Sequence, residues 1–95
     1  VKLGWSKKRR ASLSEDIDLL LADLCTEWGF CNALRGEELV SRIAVLTPEV
    51  FAFEVLTAEG MIPEYEPEWR RKMRAKFAEL YGQAVSVKTY GVMPE

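Results

Sequence analysis

Apolar residues recur at helical spacing in four stretches of the chain, and the residues between them carry helix start and stop signals. Leu13, Ile17, Leu20, Leu21, Leu24 and Trp28 form the first stripe. Ser12 and Glu15 precede it as an S-x-x-E capping box, in which the hydroxyl takes one free amide and the carboxylate reaches back to another. Gly29 is placed to stop this helix in the left-handed conformation, with Phe30 folding back onto the turn of Cys25. The pattern predicts a helix over residues 12–28.

The next segment, "EELVSRIAV", puts Leu39, Val40, Ile43 and Ala44 on one side and predicts a short helix over 37–45. Thr47 can cap a third helix, Pro48 suits its first position, and Glu49 meets the positive end of its dipole. That helix, over 48–59, stops at Gly60 and is unusually apolar: Val50, Phe51, Phe53, Val55 and Leu56 cover more than one face. Pro67 opens a fourth helix over 67–81 and Gly82 closes it, with Trp69, Met73, Phe77, Leu80 and Tyr81 as the core-facing stripe. Residues 1–11 have no helical period and read as an arm. Residues 83–95 read as an extended tail, where "AVSVKTY" could form a strand paired with "VKLGW". The fold class expected is all-α: a compact bundle of about four helices, spanning 12–82, between an extended N-terminal arm and a C-terminal tail.

Composition supports a packed domain. The chain has 95 residues, 48% of them hydrophobic, with ten aromatics. Its formal charge of −2 hides a segregation, with a basic start, an acidic middle and a basic last helix. Such blocks can steer partners or attract one another within the fold. With no histidine and only Cys25 and Cys31 as thiols, a four-ligand zinc site is out of reach within one chain. Nothing reads as a signal peptide, so both thiols are expected to be reduced and mostly buried, and the protein cytoplasmic. No stretch approaches the length of a membrane span.

Five bases lie between Arg70 and Lys76. Acid–base spacing pairs Glu66 with Arg70, Glu68 with Lys72 and Lys76 with Glu79, which leaves Arg71 and Arg74 uncompensated. Those two, with Lys7, Lys8, Arg9 and Arg10 of the arm, make a candidate nucleic-acid-binding set. The second and third helices have helix-turn-helix spacing, but the third presents Glu49, Glu54 and Glu59 where phosphates would lie, so the motif fails on its chemistry. "RRASL" resembles the R-R-x-S pattern of basophilic protein-kinase substrates, although Ser12 already has a capping role.

No nucleophile elbow, phosphate loop or metal motif is present, and catalytic residues, cofactor and metal are all expected to be absent. The expectation is a small helical protein-interaction or structural module without catalytic activity, binding another protein or a second copy of itself. Trp5, Phe53 and Tyr90 are its candidate partner-binding residues, and accessory nucleic-acid binding is the alternative.

Overall fold

Helix α1 (Leu13–Trp28) begins where its caps dictate. The Ser12 hydroxyl accepts from the Glu15 amide at 3.2 Å, and the Glu15 carboxylate accepts from the Ser12 amide at 3.3 Å. It ends at Gly29, whose φ of 78° lets the chain reverse, so that the Gly29 and Phe30 amides donate to Cys25 and Leu24. The computed structural model describes residues 12–31 and 34–88. Beyond α1 the order is α2 (Gly36–Arg42), β1 (Val45–Leu46), α3 (Pro48–Ala58), a 3-10 turn (Pro63–Tyr65), α4 (Pro67–Tyr81) and β2 (Val85–Ser86). This is the expected all-α bundle, assembled as two helix pairs: α1 packs on α2, and α3 packs on α4.

One glycine sets the first pair. Gly36 opens α2 with its backbone against α1, and a Cβ there would come within 2.2 Å of the Ser14 carbonyl oxygen. Its amide donates to the Asp18 carboxylate at 2.7 Å, so α1 supplies the N-terminal cap that Arg35 does not. In the second pair, the Thr47 hydroxyl accepts from the Val50 amide and Pro48 occupies the first turn of α3. Phe51 of α3 and Phe77 of α4 lie 5.2 Å apart, centroid to centroid, and both are fully buried.

Both pairs bury their apolar faces in one core. Ile17, Leu20 and Leu24 of α1 and Leu39 of α2 join Phe51, Val55 and Leu56 of α3 and Met73 and Phe77 of α4. Among the described residues no polar or charged residue is buried. Each large core side chain contributes on the order of 2–5 kcal/mol by truncation.

Three expectations need correction. Helix α2 ends at Arg42, short of residue 45, because Ile43 is already extended (φ −127°, ψ 122°) and the β-branched Val45 follows in a strand. That strand is the observed partner of the tail: Val45 pairs with Ser86 and Leu46 with Val85, antiparallel. Leu46 and Val85 point into the core while Val45 is exposed, the alternation a strand enforces. The "VKLGW" pairing falls on residues outside those described. Leu80, assigned to the core stripe of α4, is 57% exposed. It lies in the last turn of the helix, past the buried Met73 and Phe77.

Because the Gly36 contact is backbone against backbone, neither side can swing away. Gly36→Ala is expected to lower stability by about 2–3 kcal/mol in urea denaturation. A loss under about 0.5 kcal/mol, the helix-propensity gain aside, would show that the two helices do not approach this closely.

Candidate functional site

The basic face of α4 distributes its charge within the molecule. Arg71 pairs with Glu68 one turn earlier at 2.6 Å, and Arg74 reaches Glu49 at the start of α3 at 3.3 Å. Lys76 pairs with Glu27 of α1 at 2.5 Å and lies 5.4 Å from the centroid of the Trp28 ring. Lys72 sits over Trp69 at 4.8 Å. The pairings expected from sequence spacing are thus replaced: Lys72 takes an aromatic face, Lys76 a carboxylate from another helix, and Arg71 and Arg74 both have acidic partners. An i,i+4 pair is worth only a few tenths of a kcal/mol, so carboxylates brought close by the fold displace it. These remain exposed pairs, worth at most about 1 kcal/mol each.

The Lys76 pKa lies above the ordinary lysine value, first because of its hydrogen bond to Glu27. Partial burial opposes this, and the charges of Glu27, Asp23 and Glu79 add to it.

Two open grooves flank α3. The first, about 570 Å³, lies between the start of α3 (Thr47, Pro48, Glu49) and the α4 face carrying Arg71 and Arg74. Both arginines of the sequence-derived nucleic-acid set therefore share one groove, each already ion-paired. Lys7, Lys8, Arg9 and Arg10 lie outside the described residues, as do Trp5 and Tyr90 of the partner-binding set.

The second groove, about 340 Å³, runs between α3 and the 3-10 turn. Val50, Phe53 and Pro63 supply its apolar surface; Glu49, Glu54, Glu64 and Arg70 supply its charged groups. Phe53 is 48% exposed, the one member of the over-apolar α3 set that the core leaves largely uncovered. Glu54 is held by Arg42 at 3.0 Å. Arg70 was expected to pair with Glu66, yet its Nε is buried and has no hydrogen-bond partner. Nearby in sequence, Ile62 and Tyr65 are exposed at 54% and 75%.

Sequence reasoning found Phe53 and missed the rest of this groove. Its one available signal was the "MIPEYEP" segment, whose two prolines close a rigid turn with Pro63 buried against α3.

The expectation of two free, mostly buried thiols is overturned. Cys25 and Cys31 are joined in a disulfide, with Cα atoms 4.4 Å apart, and Cys31 is exposed. The Gly29 reversal makes this possible by returning the chain beside the last turn of α1. Among the described residues no cluster of acidic or thiol side chains is placed to hold a metal ion, and no helix is long and apolar enough to cross a membrane. No protein-family model, curated protein or solved structure matches the chain.

A lysine pKa raised by folding adds stability that is fully present below the ordinary lysine value and lost as pH climbs through the raised one. Alkaline titration of urea stability should therefore fall more steeply for the wild type than for Lys76→Met. Parallel curves would remove the Glu27 contact as the cause.

Proposed function

We propose that this protein is a small interaction module without catalytic activity, working in the cytoplasm. On this reading its partner is a protein segment that offers an apolar side chain flanked by lysine or arginine. The observation that carries it is Phe53: a large aromatic left half-exposed beside Val50 and Pro63, in a groove edged by Glu49, Glu54 and Glu64. An aromatic in an apolar hollow with a charged rim is the anatomy of an interaction hot spot. The groove's three carboxylates outnumber the single Arg70 there and favour basic neighbours of the inserted side chain. Glu64 is the rim carboxylate most available for such contact, since Glu49 and Glu54 have arginine partners.

A displayed peptide library selected on the whole chain tests this. Enriched peptides should combine an aromatic or large aliphatic residue with adjacent bases, and Phe53→Ser should weaken them about tenfold or more. Because Phe53 is half-exposed, that variant should keep the wild-type helical signal. Selection of no consensus, or binding indifferent to Phe53, would end the proposal. A Phe53-dependent dimer in light scattering would instead make the occupant a second copy of the chain.

The second reading is an accessory nucleic-acid binder using Lys7, Lys8, Arg9, Arg10, Arg71 and Arg74. What favours it is the shared groove of Arg71 and Arg74. It ranks second because each guanidinium already has a carboxylate beside it, whose charge opposes a phosphate at the same place. Gel-shift titration at about 50 mM salt, where phosphate contacts are strongest, separates the two readings. A complex that weakens steeply with salt and with Arg71→Ala/Arg74→Ala would reverse the ranking.

A further inference from the structure

We propose that Cys25 and Cys31 form a reversible thiol–disulfide switch that latches the aromatic corner of Phe30, Trp28 and Trp69. The inference is independent of the Phe53 groove. Cys31 is exposed, and exposed disulfides are characteristically the labile, regulatory ones. The geometry supplies both requirements of a switch, namely an exposed cysteine and a local structure for it to control.

Accessibility differs between the two sulfurs' residues: Cys31 is exposed, whereas Cys25 is half-buried on the last turn of α1. The controlled structure is the residue enclosed by the bridge. Phe30 is 6% exposed and sets its ring edge-on to Trp69, at 4.7 Å between centroids. Trp69 in turn lies 5.4 Å from Trp28. The Gly29 amide's bond to the Cys25 carbonyl does not involve the sulfurs and can still end α1 when the bridge opens, whereas the Phe30 amide's bond to the Leu24 carbonyl lies within the enclosed segment and is released with it. Opening therefore frees the segment after the cap and leaves the helix intact.

The chemistry is thiol–disulfide exchange with a dithiol reductant. One thiolate of the reductant attacks the Cys31 sulfur, the Cys25–Cys31 bond breaks, and Cys25 leaves as a thiolate that takes up a proton. The second thiol of the reductant, losing its proton, attacks the mixed disulfide. Cys31 is released and protonated, and the reductant departs as a cyclic disulfide. The protein gains two electrons and two protons; a small-molecule disulfide reverses the exchange.

Dithiothreitol and oxidised glutathione serve as the probes on the full chain. The oxidised protein should take no alkylating label and the reduced protein two. Amide hydrogen exchange at Phe30 and Cys31 should accelerate about tenfold or more on reduction, while Val55 and Phe77 keep their rates. Oxidised glutathione should restore the slow exchange. A Cys25→Ser/Cys31→Ser variant should show the fast corner in either reagent. Unchanged exchange at Phe30, equal acceleration at Val55 and Phe77, or failure to re-form the bridge would each overturn the switch.

Discussion

Neither helix pair of this protein can cover its own apolar face, and the bundle depends on the seam where one pair meets the other. Trp69 marks that seam. It belongs to α4, yet its ring is bounded by Trp28 at the end of α1 and by Phe30 just after it. Beside the seam, Lys76 of α4 is held by Glu27 of α1 and lies against Trp28. Beneath it the two pairs merge into one core, to which Ile17, Leu20 and Leu24 of one pair and Met73 and Phe77 of the other all belong. A chain this short has little apolar area to spare, so its stability rests on both pairs burying their faces together.

The charge pattern follows from the same arrangement. An acidic middle and a basic last helix look like a steering surface when only the chain is considered. Folded, the basic helix crosses the acidic segments. Arg74 meets Glu49, Lys76 meets Glu27, and Lys72 covers an aromatic ring instead of a carboxylate. Much of the basic face is thereby occupied in holding α4 against α1 and α3. What the fold leaves uncovered is different in kind: an aromatic side chain on α3 with a buried proline opposite and carboxylates around it. The functional proposal starts from that residue and not from the basic helix.

Local signals made most of the framework legible in the sequence. The Ser12–Glu15 box, the Thr47–Pro48 start and the glycines at 29, 60 and 82 lie at or beside the observed helix ends. Each acts within a few residues of itself, so spacing along the chain is enough to read it. The features that escaped depend on proximity the chain does not declare. Gly36 looks like a connector residue until Ser14 is found against it, and Val45 looks helical until the tail lies alongside. The arginine partners changed for the same reason, since long flexible side chains take whichever carboxylate the fold brings near. Cys25 and Cys31 were misread because compartment, not geometry, guided the expectation. The Gly29 stop had already implied that the chain doubles back between them. Within the candidate site, only Phe53 was visible, through the surplus of apolar residues on α3.

If the shared core and its Trp69 seam bind the helix pairs into one unit, they must unfold together. Urea unfolding of a Trp5→Phe protein, followed at once by far-ultraviolet circular dichroism and tryptophan emission, tests this directly. The first signal reports all the helices; the second reports Trp28 and Trp69. The account requires superimposable curves with a single midpoint. An emission transition completed at lower urea than the loss of helicity would contradict it, because the helix pairs would then stand without the seam.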